Sequence, residues 1–565
     1  MLVVSRTTAS AMRIDREVEA IGTLSFAAAG DRGGQTYIRV KVGSIGAFQS
    51  ADGAWWRPVG HPLRPEQFGA RGDGSGDDSA AINEMIRLAA SWQQGHGETG
   101  VSVTKMLLSG SYRISSPIQL WNEQDGAIRY GTFCLEGETA SYALARAPEI
   151  VADYFDRPII AMHGMRMTEL KNFTCRRVAQ TRIPTPRELM NERSEGPKPP
   201  WWNPTGNLVD LQYSMSAGVA IDPFSSAPPP DGGYRGWSRY YSDDAGSGAK
   251  SSLISFEGIH VHDNVVGVAI GCAHDGNLVD NITFDHCLLG QNKVAIAIGT
   301  DQARGGCVRN CHIVGVETMF DGSTYGQKVG VMPTVIGGVL DICKWLVNFG
   351  NGASRGVGTM TGTYSEAIWS LGFWAGGFPL TLTSCHLKFC SSEENRCARV
   401  AHFVGQNLIL SGGSWSFYRG RAEKCFIANA GPVRLDDCAF DDQPVFADPL
   451  SVDITRMPLY YVSYGRQFGV AMQQTALIAN MTGPGMSACH TPTGATTTFV
   501  GPHSAVVFKN LVAPIQTPIE TSSVSNNGDG TGEFRTKDAG AYRVGDYLCV
   551  AGQLHNVRTC DPSVR

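Results

Sequence analysis

Between residues 252 and 320 short apolar runs alternate with polar turns, and the alternation repeats. "FEGIHVHDNVVGVAIG" (256–271), "ITFDHCLLGQNKVAIAIG" (282–299) and "VRNCHIVGVETMF" (308–320) share one plan. Each reads as a short apolar strand, a two-residue polar turn, a second short strand, a Gly/Asn turn and often a third strand. An apolar-x-x-Cys-x-apolar core lies inside the plan, at Phe284, Cys287 and Leu289 and again at Val308, Cys311 and Ile313. It returns at Leu382, Cys385 and Leu387 and at Leu435, Cys438 and Phe440. Phe256, Ile259 and Val261 fit at the front. Leu340, Cys343 and Trp345 fit in the middle, and "LSGGSW" (410–415) fits through Gly413. The marked positions are 259, 287, 311, 343, 385, 413 and 438, so that steps of 24, 25 and 28 stand beside longer ones of 32 and 42. The longer steps require long turn insertions or a missed turn of the coil. A repeat of this length with three short strands predicts an all-β solenoid, a parallel β-helix, with a small buried residue forming an internal ladder.

A different period precedes the coil. In "FGARGDGSGDDSAAINEMIRLAAS" (68–91), Ile82, Met85, Ile86 and Ala89 recur at helical spacing. Asp77, Asp78 and Ser79 are N-cap candidates and Gly95 is a candidate stop. A stacked coil has an open end whose strand edges and apolar interior must be covered. An amphipathic helix laid over the first coil does this, and the glycines and aspartates before it supply the sharp turn.

Residues 1–64 read as a separate head unit. "GGQTYIRVKVG" and "GAFQSADGAWWRPVG" alternate between glycines as short strands and hairpins do. Residues 65–465 hold the capping helix and the coil, interrupted by Pro- and aromatic-rich insertions at 179–207 and 222–250. The insertions carry Trp201, Trp202, Tyr234, Trp237, Tyr240 and Tyr241, too many rings for a solvated linker. From 466 to 565 the rung pattern fades, and "TGEFRTKDAGAYRVGDYLCVAGQLHNV" (531–557) alternates as an antiparallel β region does.

Composition narrows the function. The net charge of −5 argues against nucleic-acid binding, which shows as a basic patch. The 67 glycines beside only 18% charged residues suit a turn-rich β protein. No run of eighteen apolar residues predicts a membrane span, and the first twenty residues lack the basic and apolar regions of a secretory signal. The cysteines number fifteen, without metal-like spacing, and read as buried, reduced fillers suited to a cytoplasm.

The segment "RPEQFGARGDGSGDDSAAINEMI" (64–86) resembles the lead-in motif of pectate-lyase-superfamily β-helix proteins, phage tailspikes especially. The preceding "GAFQSADGAWWRPVG" (46–60) looks like the short head that many tailspike-type proteins carry. The resemblance is close over about residues 20–95 and covers the coil only by its rung pattern. It implies a right-handed parallel β-helix, a homotrimer, and cleavage of capsule, exopolysaccharide or O-antigen on the bacterial surface. It also implies a virion component, made in the host cytoplasm without a signal peptide and joined to other phage tail proteins through its N-terminus. The C-terminal region would serve trimerisation or auxiliary binding. The paired aspartates and His-Gly signature of polygalacturonase-like relatives are absent from the coil, so catalytic residues are argued from position.

Glycoside hydrolysis needs two carboxyl groups, ~5–5.5 Å apart for retention and ~6.5–9.5 Å for inversion. Strands of neighbouring coils lie about 4.8 Å apart, so matched positions on successive coils approach the first distance. "VAIG" (268–271) and "IAIG" (296–299) place Asp275 and Asp301 in equivalent turns, with His274 and Arg304 nearby. Glu317 and Asp321 enter the next long strand, and Asp263 precedes the earlier one. Asp275, Asp301, Glu317 and Asp321 are the candidate catalytic carboxylates. His274, Arg304, Asp263, Trp345, Trp369, Trp374 and Trp237 are the candidate substrate contacts, the rings as sugar-stacking faces. Asp243 with Asp244, and Glu366, are competing acids. His260, His262, His286 and His312 scatter over different faces on a strand reading, so no metal is predicted, and no cofactor. The nearest alternatives are a lyase on an acidic glycan, relying on Lys, Arg or His, and a receptor-binding tail protein without enzymatic activity.

Overall fold

The structure is a computed structural model. It describes residues 1–93 without a break and most of 103–178, then 217–222. It also describes 251–390 apart from connections at 272–278, 299–302, 322–331, 350–357 and 375–378, and from 403 onward little beyond strand segments. The chain forms two compact units, one through Thr334 and one from Val335 onward, apart from residues 187–194.

In the first unit three parallel ladders run through six coils. The first contains Thr104–Leu108, Phe133–Gly137, Arg166–Lys171, Ser252–Glu257, Asp280–Asp285 and Cys307–Arg309. The second contains Ser111–Ile114, Glu149–Ala152, Thr174–Arg177, His260–His262, Leu288–Gly290 and the start of His312–Asp321. The third contains Ile118–Gln124, Ile160–His163, Ala217–Ile221, Val266–Ile270, Val294–Ile298 and the end of His312–Asp321. The chain is therefore a parallel β-helix.

Register sorts the side chains. Met106, Leu135, Leu170, Phe256, Phe284 and Val308 stack as one buried column, with the rings of Phe256 and Phe284 parallel at 4.7 Å. Burying such side chains contributes roughly 1.5–3 kcal/mol each. From Ile160–His163 to Val294–Ile298 the third ladder is buried on both faces, as parallel strands commonly are, and Ala161, Ala220, Ala269 and Ala297 form a column of small residues there.

The corner between the first two ladders explains the repeat. One left-handed residue turns the chain, and a buried residue follows it. The pairs are Asn172 with Phe173, Gly258 with Ile259, His286 with Cys287 and Asn310 with Cys311. His286 is thus a turn residue, its ring beside Asp285 at 2.7 Å. In the second unit the same corner is made at Gly337 and Gly338, Gly362 and Thr363, Ser384 and Cys385, and Gly412 and Gly413. Thr363 marks the turn of the coil missed by the cysteine frame. Cys343 is not a corner residue at all: it lies buried inside the strand Val339–Phe349, opposite Ile368. The 32- and 42-residue steps arise from this misplacement, because a glycine and a threonine fill the corner slot there.

The helix α2 (Ser79–Ser91) buries Ile82, Met85, Ile86 and Ala89 as predicted. It also serves the exposed edge of the first coil: Asn83 accepts from the backbone N–H of Gln119 at 2.8 Å and donates to the Pro117 carbonyl at 3.0 Å. The aspartates divide the work. Asp77 accepts from the N–H of Ser79 and of Ser115, tying the helix start to the second ladder. Asp78, although at the cap position, instead accepts from the N–H groups of Arg71 and Gly72 and closes the glycine turn. The predicted stop at Gly95 falls outside the described residues; the helix ends at Ser91.

The head is a five-stranded sheet, Leu2–Ser5, Ala20–Ser25, Gln35–Val40, Trp55–Val59 and Phe48–Gln49 in spatial order. It also carries the helix α1 (Arg6–Ala11), capped by the Ser5 hydroxyl, which the alternation of the sequence did not reveal. Beyond residue 458 the described strands pair antiparallel, among them Thr521–Asn526 with Gly532–Thr536 and Tyr547–Val550 with Gln553–Asn556.

Both long interruptions are clasped at their bases. The buried Arg177 donates to the carbonyl of Ala217 at 3.1 Å, closing the gap between the two residues. Asp222, fully buried, accepts from the N–H of Ser251 at 2.8 Å and from its hydroxyl at 2.7 Å, and from the N–H of Gly164. Burial alone would raise its carboxyl, but His163 and Ser251 outweigh that and hold it below the usual range.

Candidate functional site

Polar side chains gather on the outer face of the second ladder. Register aligns Ser111, Glu149, Thr174 and His260 in one column and Arg113, Val151, Arg176 and His262 in the next. Arg176 Nε donates to Glu149 at 2.8 Å, and the Ser111 hydroxyl donates to the other carboxylate oxygen at 2.7 Å. Burial would raise the Glu149 carboxyl; these two bonds, then the charges of Arg176 and His262, hold it below its ordinary range. Arg113 pairs with Asp153 at 3.3 Å.

The imidazoles belong to the next coil, His262 opposite Arg176 and His260 opposite Thr174. His260 and His262 stack with centroids 4.1 Å apart, so the expectation that the histidines scatter over different faces is wrong for these two. Side chains two apart on a strand share a face. Burial, followed by the nearby His262 and Arg176, pushes His260 down to about 3, and its ring is neutral at ordinary pH. Its Nδ1 is buried without a hydrogen bond among the described residues. His262 Nδ1 meets Asp263 Oδ2 at 2.7 Å. Asp263 adopts the left-handed conformation, φ 59°, which costs a non-glycine residue roughly 1 kcal/mol or more. It is held there by Asn264, fully buried, whose amide donates to the His262 carbonyl at 2.7 Å. An imidazole fixed by a carboxylate at one nitrogen can exchange a proton at the other. Arginines beside it can hold an anionic group.

The sequence-predicted residues are placed as follows. Asp275, Asp301, His274 and Trp237 lie outside the described residues, as do Asp243 and Asp244. The strands before the first two, Val266–Ile270 and Val294–Ile298, are in register, Ile270 against Ile298. Glu317 and Asp321 lie within the strand His312–Asp321, Asp321 opposite Ala297 in the alanine column. Asp263 stands at the corner between the second and third ladders. Arg304, exposed, stands instead at the turn before the first ladder, its N–H donating to Asp280 at 3.2 Å. Trp345 belongs to the second-unit strand Val339–Phe349, and Trp369 and Trp374 to Tyr364–Trp374. Sequence reasoning missed Ser111, Arg113, Glu149, Asp153 and Arg176. They precede both insertions, which separate them in sequence from His262, and only the register joins them to it. No group of three His, Cys, Asp or Glu side chains suited to a metal occurs among the described residues.

No family model and no curated relative matches the chain. Solved structures similar to it include the enzymatically active domain of bacteriophage CBA120 tailspike protein 2, at 13% identity over 76% of this chain and 51% of that one, TM-score 0.35. The Acinetobacter phage vb_AbaP_AS12 gp42 tailspike matches at 12% identity over 78% of this chain and 69% of that one, TM-score 0.44. Pantoea stewartii WceF, a glycan biofilm modifying enzyme with a tailspike-like parallel β-helix fold, matches at 13% identity over 83% of this chain and 52% of that one, TM-score 0.28. The chain thus spans about half the length of the first and the last. The fold assignment rests on the parallel ladders themselves. No described helix is long and apolar enough to cross a membrane.

Proposed function

We propose that the chain is a tailspike-type depolymerase that binds a bacterial surface polysaccharide and cuts within it. One observation carries the reading: Glu149, Arg176, His260, His262 and Asp263 form a part-exposed mixed-charge patch across three successive coils. Coils about 4.8 Å apart offer a repeating row of donors and acceptors to a repeating polymer. The lead-in motif at 64–86 supports the same class. The wider reading keeps a homotrimer in a phage tail, with the head at 1–64 meeting other tail proteins and the region from 466 serving trimerisation or auxiliary binding.

For the bond-breaking step the first reading is glycoside hydrolysis by a carboxyl pair drawn from Asp275, Asp301, Glu317 and Asp321. One carboxylic acid protonates the leaving oxygen, and the other group attacks the anomeric carbon or deprotonates the attacking water. A second reading is favoured by the arginines and the His262–Asp263 pair. In elimination on an acidic sugar, His262 takes the proton beside the carboxylate, Arg176 or Arg113 holds that carboxylate, and the glycosidic C–O bond breaks to leave an unsaturated end, the departing oxygen taking a proton from water.

The test is incubation with a panel of purified capsules and lipopolysaccharides, reading reducing ends and product mass. Hydrolysis predicts saturated fragments, lost in Asp275→Asn or Asp301→Asn while binding persists. Elimination predicts unsaturated fragments, lost in His262→Gln. A chain that binds a glycan and leaves its length unchanged is a receptor-binding protein instead.

A further inference from the structure

The second unit carries a second patch, which the reading above does not use. Its second ladder pairs Val339–Phe349 with Tyr364–Trp374, and the latter with His386–Cys390, which pairs with Ser414–Tyr418. Tyr364 and His386 are directly opposed and their rings lie parallel, 6° apart, with centroids at 5.1 Å. His386 Nδ1 hydrogen-bonds the Ser414 hydroxyl. Beside the rings runs a polar row. The Tyr364 phenol donates to Glu366 Oε1 at 3.0 Å, and the Glu366 N–H donates to Asp341 Oδ1 at 2.9 Å. Lys388 adjoins on the next coil, paired with Ser416 on the coil beyond. Glu366 is exposed, and Tyr364, Asp341, His386 and Lys388 are partly so.

The solenoid does not require this composition. Across the neighbouring coils the ring column is continued by Val339 and Ser414, which serve the same ladder with no ring and no charge. The pairing of Tyr364 with Glu366 fixes a phenol and a carboxylate side by side, a planar acceptor next to a rigid amphipathic ring. Sugar hydroxyls are recognised by such planar polar groups beside aromatic carbon. The coil spacing of about 4.8 Å is close to the length of one pyranose ring, so adjacent coils address adjacent sugars. Two carboxylates against one ammonium make the patch net acidic, which disfavours an anionic sugar here and suits an uncharged one.

We propose that Tyr364, His386, Asp341, Glu366 and Lys388 form a binding site for an uncharged pyranose residue, separate from the patch of Glu149 and Arg176. The proposal rests on the glycan-binding reading and extends it to a second contact of different charge preference. The probe is an array of purified bacterial capsular and lipopolysaccharide glycans, with the full chain and its variants titrated against each glycan bound. Tyr364→Ala and Glu366→Gln are each expected to weaken binding about tenfold, the worth of one or two lost polar contacts. Tyr364→Phe keeps the ring stack and removes only the phenol, so it controls for misfolding; a loss of severalfold is expected from it too. Because the contact is to a neutral sugar, the fraction of affinity lost in Glu366→Gln should not change between low and high salt, whereas that lost in Arg176→Gln should shrink. Unchanged affinity in all three variants at this patch, with the wild-type chain binding, overturns the second site and leaves the depolymerase reading standing. A wild-type chain that binds no glycan overturns both.

Discussion

Two successive coils differ in a way that separates what the fold needs from what it does not. One runs through His260, Val261, His262, Asp263 and Asn264; the next, 28 residues on, runs through Leu288, Leu289, Gly290, Gln291 and Asn292. Both turn on a left-handed residue, Asp263 at φ 59° and Gln291 at φ 52°. Both follow it with a fully buried asparagine. Asn292 accepts from the N–H of Asn264 at 3.1 Å and donates to the Val261 carbonyl at 3.0 Å, while Arg177 donates to Asn264 Oδ1 at 3.0 Å. The asparagine ladder is therefore the structural requirement of this corner. Leucine, glycine and glutamine meet the remainder of it. Two histidines and an aspartate in the earlier coil exceed that requirement: His262 stands opposite Arg176, His260 opposite Thr174 in the column of Glu149, and Asp263 meets His262. The surplus chemistry is what marks the face as the candidate site.

Substitutions can break the shared part of this comparison or sharpen the part that differs. The largest effect is expected in the column common to both coils. Phe284→Ala opens a cavity beneath the parallel Phe256 ring and should cost roughly 3–5 kcal/mol, read by chemical denaturation. Asn292→Ala strips a buried N–H and a buried carbonyl of their partner and should cost about 2–3 kcal/mol. A loss below that of an ordinary surface change would remove the ladder from the account.

The histidine coil adds a pH dependence that the leucine coil lacks. His260 titrates near 6.5 when unfolded and is pushed down to about 3 in the fold. Between those values the unfolded chain binds a proton that the folded chain refuses, so stability should fall as pH drops from about 6.5 toward 3. Glu149, held low by its partners, adds its own loss only further down, as pH falls through the carboxylate range. His260→Leu, which copies Leu288, should flatten the slope between pH 7 and 5; an unchanged slope would place its origin elsewhere. The smallest effect is expected at the left-handed corner, where Gln291→Gly relieves backbone strain and stabilises by less than about 1 kcal/mol.

Much of this architecture was legible because a solenoid repeats its geometry. Ile259, Cys287, Cys311 and Cys385 are all buried corner residues, as the aligned cores predicted. The frame failed where the slot was filled by Gly338 and Thr363, since the corner accepts residues from glycine to Phe173 and not cysteine alone, and Cys343 then drew the alignment into a strand. The capping helix was legible from its apolar spacing, whereas the division of labour between Asp77 and Asp78 depends on where Arg71 and Ser115 return in space. The polar face was the least legible. Glu149 and His262 are 113 positions apart with both insertions between them, so only the register makes them neighbours. Asp275 and Asp301 stand out in the sequence because they follow matching strands at 268–271 and 296–299, while the strand-borne acids and arginines carry no local mark.

The most direct measurement is glycan binding and chain shortening by Asp263→Gly beside Gln291→Gly, with folding followed on the same samples. Both replacements relax a left-handed corner, so both proteins should fold at least as well as the wild-type chain. If the coil comparison is right, loss of the carboxylate that orients His262 cuts glycan turnover at least tenfold at full stability, while Gln291→Gly leaves it intact. Equal turnover in the two proteins would contradict the assignment of a site to this face.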